Sequence, residues 1–239
     1  MTTKRETIAV FGITGRTGRE FGRLALQEGY HVRALVRTPS KAERLFADLN
    51  DATHLQLVEG DLESTSALET VVEGAEYVVC MLAASVRDGV YPKDFMLNFV
   101  KRLLPILDQS ATKVLLYQAG SMSADGNGYL HPVAWTMKQT LGRKLNIFPK
   151  INDNNEAIQC MALTPKSFHF VVTRAGVLKE APSEKTVEAS GWVRLRCALF
   201  SFCKLFTNST YPASPPNVSC DVCRLGGILA ESSQRPISL

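Results

Sequence analysis

The segment that begins at Thr7 constrains the fold more than any other part of the chain. The apolar run Thr7–Phe11 predicts a buried strand, and Gly12, Gly15 and Gly18 follow it at a spacing of three. In this arrangement the first glycine permits a tight turn, the second lets backbone amides approach a phosphate, and the third lets the next helix pack close to the sheet. The helix then presents free N–H groups and a partial positive charge to the anion.

The glycine turn has two interpretations, a nucleotide site and a purely structural turn. A strand before the turn and a helix after it favour nucleotide binding, although the spacing differs from the G-x-G-x-x-G of standard dehydrogenases. We therefore expect Gly12, Gly15 and Gly18 to hold a pyrophosphate. Side chains in and after the turn are expected to add contacts to the same anion: Thr14, Arg16 and Thr17.

Strand-like and helical segments alternate along the first three quarters of the 239-residue chain. The strands are apolar on both faces, which is typical of a parallel sheet covered on both sides. Right-handed crossovers then predict a doubly wound, Rossmann-type α/β fold. We expect one domain over residues 1–239, with a core at 1–178 and a dependent substrate-side lobe at 179–239. The predicted strands are Thr7–Phe11, His31–Val36, Leu55–Val58, Tyr77–Leu82, Lys113–Gln118 and Phe168–Thr173.

The helices are predicted from apolar spacing and from capping signals. Arg16 to Glu28 and Phe95–Leu107 have helical spacing. Capping boxes, in which a Ser or Asp is followed three residues later by Glu, predict that helices open at Ser40, Ser66 and Asp153. The last of these helices is expected to end near Leu163.

Charge and composition exclude several classes of protein. The formal net charge is +4, and residues 1–50 alone carry nine Lys/Arg against five Asp/Glu. No cluster of basic residues stands out, so we expect a small anionic ligand near the N-terminal segment and no nucleic-acid partner. Six cysteines without a secretion signal are expected to be reduced, and no metal site is expected. We expect a cytoplasmic protein, or an organellar one if a presequence has been removed.

The end of the second strand bears on the choice of cofactor. Arg37 stands 19 residues after Gly18, about where an NAD enzyme carries the carboxylate that binds the ribose. An arginine can bind a 2′-phosphate with two hydrogen bonds, and Lys41 adds charge nearby. The alternative is two solvated cations. We therefore expect NADP(H) as cofactor, with Asp61 after the third strand either accepting from the adenine amine or serving as a turn residue.

Four segments together resemble the atypical short-chain dehydrogenases, with their NmrA-like and biliverdin-IXβ reductase/flavin reductase branches. They are Gly12–Gly18, Leu35-Val36-Arg37, Gly60-Asp61-Leu62 and Thr173-Arg174-Ala175-Gly176. The resemblance implies cofactor contacts from further residues: Leu62, Leu82, Ala83, Ala84, Ser121 and Ala175. The family usually has Arg-Pro-Gly at 174–176, and the biliverdin branch has a histidine where this sequence has Asn155.

The Tyr-x-x-x-Lys dyad of conventional short-chain dehydrogenases is absent from this sequence. The residues four places after the six tyrosines are Ala34, Met81, Phe95, Ser121, Val133 and Pro215. Ser121 is the remaining catalytic candidate, with a strand-end turn residue as the alternative. Tyr129 and His131 are candidates for substrate contact but are better explained as loop residues. Asp153 and Glu156 have the spacing of an acid/base pair, but a helix cap is favoured.

A cofactor can deliver hydride to an electron-poor acceptor while solvent supplies the proton, so the missing dyad narrows the substrate class. We expect an NADPH-dependent reductase of a flavin, quinone or tetrapyrrole type of small molecule. The alternatives are a non-catalytic NADP(H) sensor or scaffold and, third, an isomerase or dehydratase that retains its cofactor. The apolar, basic segment 190–206 predicts a lid helix or, as a second interpretation, a peripheral membrane or protein contact. A monomer and a dimer are both compatible with the sequence.

Overall fold

A computed structural model describes residues 6–49, 52–83, 91–120 and 122–175. Six strands form one sheet in the order β3-β2-β1-β4-β5-β6. The strand order therefore reverses between β1 and β4, the place where open α/β sheets bind ligands. The strands are β1 (Thr7–Phe11), β2 (His31–Val36), β3 (Leu55–Glu59), β4 (Tyr77–Cys80), β5 (Val114–Gly120) and β6 (His169–Ala175).

The pairing of the strands is parallel. β1 pairs in parallel with both β2 and β4, β2 with β3, and β4 with β5. Hydrogen bonds from His169 N to Lys113 O and from Thr173 Oγ1 to Tyr117 O advance in the same direction along β6 and β5. The doubly wound α/β fold predicted from the sequence is confirmed.

Helices connect the strands on both faces of the sheet, as parallel pairing requires. A single turn of 3₁₀ helix (Ala52–His54) precedes β3, and a π-helical turn (Lys138–Gly142) continues the fifth helix. The helices are α1 (Arg16–Gln27), α2 (Pro39–Phe46), α3 (Thr65–Val72), α4 (Phe95–Asp108), α5 (Pro132–Met137) and α6 (Phe148–Leu163).

Buried side chains cover both faces of the sheet. On one face, α3, α4 and α6 pack over alternate strand residues, with Phe11 of β1 against Phe99 of α4 at 5.1 Å between ring centroids. The intervening residues Val10 and Val79 are also buried, because α1 and α2 cover the other face. Burial on both faces is why these strands read as continuous apolar runs.

Several predicted boundaries are wrong for local reasons. α2 begins at Pro39 with Thr38 as N-cap, and α3 begins at Thr65 with Ser64 as N-cap, so neither predicted capping box opens its helix. α6 begins at Phe148, five residues before the predicted cap at Asp153.

The described residues bear only in part on the expectations about membrane segments, metal sites and the C-terminal lobe. Among the described residues, no helix is long and apolar enough to cross a membrane, and no group of three acidic, histidine or cysteine side chains is placed to hold a metal ion. The expected boundary at residue 178 and the segment 190–206 lie outside the described residues.

Candidate functional site: a dinucleotide cradle at the strand ends

The glycine turn lies at the point where the strand order reverses. Gly12 has a φ of +92°, and a Cβ on it would lie 2.8 Å from Met81 O, the backbone that leaves β4. A Cβ on Gly18 would lie 2.1 Å from Gly12 O, and one on Gly15 would lie 3.2 Å from the same oxygen. Side chains at Gly12 and Gly18 would therefore collide with backbone that cannot move aside. The turn keeps its shape because these positions lack a Cβ.

The amino end of α1 is open toward solvent. Gly15 is the N-cap and supplies no side-chain hydrogen bond, and the first turn contains no acidic residue. The first helical hydrogen bond runs from Arg19 N to Gly15 O at 2.8 Å, so the amides of the three residues between them precede the helical ladder. Such an end presents donors and a partial positive charge to an anion. This cradle fits a pyrophosphate, because its amide donors are uncapped and Gly15 places no side chain over them.

Three side chains flank the opening of the cradle. Thr14 and Thr17 are half-buried, and Arg16 is exposed at the start of α1. Each lies within the turn or the first turn of α1, and its contact with an anion stays a prediction.

The end of β2 brings two cations to the same edge. Phe11 of β1 pairs with Leu35 of β2, so Arg37 lies beside the glycine turn. Arg37 and Lys41 are exposed, and neither makes an ion pair with another residue that the structure describes. No carboxylate occupies the position immediately after β2. Two exposed cations and no carboxylate therefore lie at this edge, and their contact with a 2′-phosphate stays a prediction.

Asp61 and Leu62 follow β3 and serve the turn there. The Asp61 carboxylate accepts from Glu63 N at 2.9 Å, so one of its oxygens is used in a local turn. Leu62 is half-buried and packs against the core. The structure thus gives Asp61 the turn role that the sequence analysis held as the alternative, and contact with an adenine stays a prediction.

The ends of the remaining strands carry the other predicted cofactor residues. After β4, Leu82 is half-buried against the core, and Ala83 is exposed. β6 ends at Ala175, whose side chain is not described. Ala84 and Ser121 lie outside the described residues, so their roles remain predictions. In the loop after β5, Ser123 is buried, and its carbonyl accepts from Arg174 Nη1 at 3.4 Å.

Asp153 forms a contact that the sequence analysis missed. Its carboxylate is 3% exposed and lies inside α6, where it accepts from Met96 N at 2.8 Å and from Leu97 N at 3.0 Å. These are the amides that an N-cap side chain normally satisfies. The helix α4 lacks such a cap of its own, because Asp94 has a φ of 52° and makes no side-chain cap bond. Asp153 therefore caps α4, not α6, which corrects the predicted cap.

The residues beside Asp153 bind the middle of β5 and the loop that follows it. Asn154 accepts from the Tyr117 hydroxyl at 2.8 Å and donates to Lys150 O at 2.9 Å. Asn155 accepts from Ala124 N at 2.7 Å, in the loop that follows β5. Three consecutive polar side chains of α6 thus fix α4, β5 and the following loop. No local spacing signals these three attachments, since the partner in each lies at least 31 residues away.

The phenols of this region are held as hydrogen-bond donors. Tyr91 donates to Asp153 Oδ2 at 2.6 Å, and burial together with this carboxylate raises its pKa well above the ordinary value. Burial raises the pKa of Tyr117 in the same direction. Both hydroxyls therefore stay protonated near neutral pH.

The loop candidates Tyr129 and His131 take part in local structure. Tyr129 N donates to Asp125 Oδ1 at 2.8 Å, and the Tyr129 ring is exposed. His131 is the N-cap of α5, and its Nδ1 accepts from Val133 N at 3.3 Å. These contacts agree with the favoured interpretation as loop residues.

A family model described as NAD(P)H-binding matches residues 12–190. The chain belongs to this NAD(P)H-binding family. The match begins at the first glycine of the turn, and the prediction of a nicotinamide dinucleotide is confirmed. The resemblance to the atypical short-chain dehydrogenase group is confirmed at the level of this family and of the fold.

A curated relative is much longer than the aligned part. The chloroplastic protein TIC 62 of rice is 31% identical over 112 residues, which cover 40% of this chain and 22% of the rice protein. The NAD(P)H-binding chain thus spans less than a quarter of that relative.

Solved structures share the architecture. The anaerobillin reductase ChuY from Escherichia coli is 16% identical with a TM-score of 0.54, covering 74% of this chain and 76% of that one. The yeast methylglyoxal/isovaleraldehyde reductase Gre2, complexed with NADPH, is 15% identical with a TM-score of 0.53, covering 71% and 57%. At these identities the likeness shows the NAD(P)-binding fold.

Proposed function

We propose that this NAD(P)H-binding chain is an NADPH-dependent reductase of a conjugated or aromatic acceptor of the flavin, quinone or tetrapyrrole type. The observation that carries the proposal is the glycine cradle, with Arg37 and no carboxylate beside it at the end of β2. The cradle supports binding of a dinucleotide, and the guanidinium of Arg37 supports NADPH rather than NADH as that dinucleotide.

The residues proposed to hold the cofactor follow the edge of the sheet. The amides of the cradle would bind the pyrophosphate, and the guanidinium of Arg37 would bind the 2′-phosphate with help from Lys41. Asp61 and Leu62 would line the adenine, and the residues after β4, β5 and β6 would line the nicotinamide end: Leu82, Ala83, Ala84, Ser121 and Ala175. When bound, NADPH supplies the hydride.

The protein offers few side chains that could donate a proton to the substrate, and this restricts the kind of acceptor it can reduce. The sequence has no Tyr-x-x-x-Lys pair, and Tyr91 and Tyr117 are engaged as donors to Asp153 and Asn154. A raised phenol pKa makes both hydroxyls poor proton donors to a substrate. An acceptor that takes its proton from solvent fits this site, and a simple ketone does not. Ser121 is the proposed residue for hydrogen bonding to the substrate or the nicotinamide amide.

Two further points bear on activity and location. Both solved structures compared above are named as reductases and share this fold, which supports a reductase. We infer a cytoplasmic location, with an organelle as the alternative that the chloroplastic rice relative favours.

The decisive experiment has two parts. Binding of NADPH and NADH is measured first by calorimetry, and NADPH oxidation is then followed at 340 nm with a panel of flavins, quinones and biliverdins. The proposal expects tighter binding of NADPH and turnover with at least one panel member. Tight NADPH binding without turnover on any acceptor would reject the reductase, whereas no binding of either nucleotide would reject the cofactor site itself.

A second function, non-catalytic NADP(H) sensing or scaffolding, has one specific observation in its favour. The buried polar side chains near the end of β5 are bonded to protein partners, so none of Asp153, Asn154 and Tyr117 is left to serve a reaction. Under this alternative, NADPH and NADP⁺ would bind with clearly different affinities and no acceptor would be reduced. An isomerase or dehydratase with retained cofactor is the third possibility, and it would show release of tightly bound nucleotide on denaturation.

A further inference from the structure

Lys138 is a buried cation without an acidic partner. It lies in the π-helical turn and is 9% exposed, and its ammonium makes no hydrogen bond or ion pair with any residue that the structure describes. Lysine is almost never buried in this way unless it is paired. Burial also lowers the pKa of Lys138, because the charged form loses hydration. A bound anion would offset this cost.

The charge around Lys138 has one sign. Residues 126–152 contain four Lys or Arg and no Asp or Glu. The Lys138 ammonium lies 5.1 Å from the centroid of the Phe148 ring, and the Arg143 guanidinium lies 5.0 Å from the same centroid. An aromatic ring attracts a cation but does not neutralise it. Because Arg143 is exposed, the surroundings of this ring present a positive potential to solvent.

Phe148 is the first residue of α6, and the amino end of this helix is uncapped. The N-cap Ile147 offers no side-chain hydrogen bond, and the first turn contains no acidic residue. The first helical hydrogen bond runs from Ile151 N to Ile147 O at 3.1 Å, so the amides of Phe148 and Lys150 precede the helical ladder. Such an end presents donors and a partial positive charge. The buried ammonium and the amino end of a 16-residue helix therefore meet at one aromatic ring.

This helix end lies on the edge of the sheet that carries the proposed cofactor residues. Because α6 connects the parallel neighbours β5 and β6, it begins beyond the carboxyl end of β5. Asn155 binds Ala124 N in the loop after β5, and Phe148 stands seven residues nearer the amino end of α6. At about 1.5 Å per residue, that end projects about 10 Å further outward. An acceptor over the nicotinamide therefore lies on the same side of the sheet as Lys138.

We propose that Lys138 and the amino end of α6 bind an anionic substituent, a phosphate or a carboxylate, of the acceptor. The inference rests on the proposed reductase function, because it assigns this site to the substrate of that reaction. The ammonium meets the anion as a point charge, the helix amides donate to it, and Arg143 adds to the attracting potential. Among the proposed acceptors, the site favours flavin phosphates and tetrapyrrole carboxylates over quinones that carry no anionic group.

The test compares acceptors that differ only in this substituent. FMN and riboflavin share the isoalloxazine ring, but only FMN carries a phosphate, and biliverdin differs from its dimethyl ester in its free carboxylates. Dissociation constants are measured by calorimetry on the full chain with NADP⁺ present, and KM is measured from NADPH oxidation at 340 nm. The anionic member of a pair is expected to bind at least about tenfold more tightly, because it gains charge-assisted hydrogen bonds.

A charge-removing variant assigns the preference to its residue. Lys138→Met keeps the apolar stem and removes the ammonium, so it is expected to lower the affinity for FMN to that for riboflavin. The matched control is Lys144→Met, which removes the same charge from an exposed lysine of the same segment and should keep the preference. A cooperative urea transition in each variant shows that it is folded.

The outcomes separate the anion site from the reductase. Equal affinities within each pair, no binding of any member, a preference that survives Lys138→Met, or an equal loss in Lys144→Met would each overturn the anion site. Tighter binding of FMN that depends on Lys138, without NADPH oxidation, would keep the anion site and reject the reductase. NADPH oxidation with equal KM for both members of each pair would keep the reductase and reject the anion site.

Discussion

The glycine turn after β1 and the polar stretch of α6 occupy the same edge of the sheet but are built by opposite means. The turn exists because side chains are missing, so that backbone approaches backbone at Gly12 and Gly18. The stretch Asp153-Asn154-Asn155 exists because three side chains each bind a different element. The spacing of the first is contained in about a dozen residues, with one distant neighbour at Met81, whereas every contact of the second joins residues far apart in the chain.

The largest expected effect comes from adding a methyl group to the glycine turn. Gly18→Ala places a Cβ 2.1 Å from Gly12 O, and Gly12→Ala adds strain at a φ of +92° to a contact with Met81 O. We expect each to lower the free energy of unfolding by about 3 kcal/mol and to weaken NADPH binding at least about tenfold. Urea unfolding and calorimetry measure these changes.

The control for this prediction is Gly29→Ala. Gly29 has a similar positive φ of +84°, but a Cβ there meets nothing within 4 Å. It separates backbone strain from collision, and NADPH binding is expected to be unchanged. Equal NADPH affinities for Gly12→Ala and Gly29→Ala would show that the glycine turn does not bind the cofactor.

The next effect tests the polar side of the comparison. Asp153→Ala leaves the amides of Met96 and Leu97 and the hydroxyl of Tyr91 without their acceptor. We expect a loss of about 2 kcal/mol in the free energy of unfolding, measured by urea denaturation. Glu156→Gln, on the exposed side of the same helix, is the control and should change it little. A loss no larger than that of the control would show that α4 does not depend on this cap.

A smaller and more selective effect is expected at the end of β2. Arg37→Ala removes the proposed partner of the 2′-phosphate, so it should weaken NADPH about tenfold and leave NADH nearly unchanged. Calorimetry with both nucleotides measures the ratio. Arg44→Ala, an exposed arginine of α2, is the control. Equal losses for the two nucleotides would contradict the 2′-phosphate role.

The smallest effect is a loss of stability in alkali. Burial raises the pKa of the Cys80 thiol to about 12, and burial raises the pKa values of Tyr91 and Tyr117 above the ordinary phenol value. Because the unfolded chain ionises first, their contribution is complete below an unfolded pKa of about 9 to 10 and is lost as pH rises through the folded values. The free energy of unfolding should therefore fall above about pH 9. In Tyr117→Phe the slope should be shallower, and an unchanged slope would exclude this phenol as a contributor.

The regions compared above also differ in how far their sequences predict them. The sequence predicts α1 from Arg16 to Glu28, and the helix ends at Gln27, because strand, glycine spacing and apolar period all agree within one short segment. The capping boxes at Ser40 and Ser66 are wrong, because each helix begins earlier. Pro39 starts α2 directly after Thr38, and the Ser64 hydroxyl caps α3 by accepting from Ala67 N.

The misinterpretation of Asp153 has a different origin. Asp153 and Glu156 have the spacing of a cap for their own helix, yet the carboxylate reaches amides 56 and 57 residues earlier in the chain. No window of local sequence contains both partners. The helix α5 escapes prediction for another reason: none of its residues is buried, and its large hydrophobic side chains Val133, Trp135 and Met137 are exposed, so it has no apolar inner stripe to detect.

The cap that Asp153 gives to α4 has a consequence for how the protein is made. A ribosome releases Phe95–Asp108 well before residue 153, so the first turn of that helix emerges without the acceptor that will satisfy it. During synthesis the strands on the amino-terminal side can pair while this helix frays at its start. We therefore expect the first turn of α4 to become stable only after α6 has been synthesised and has packed against it.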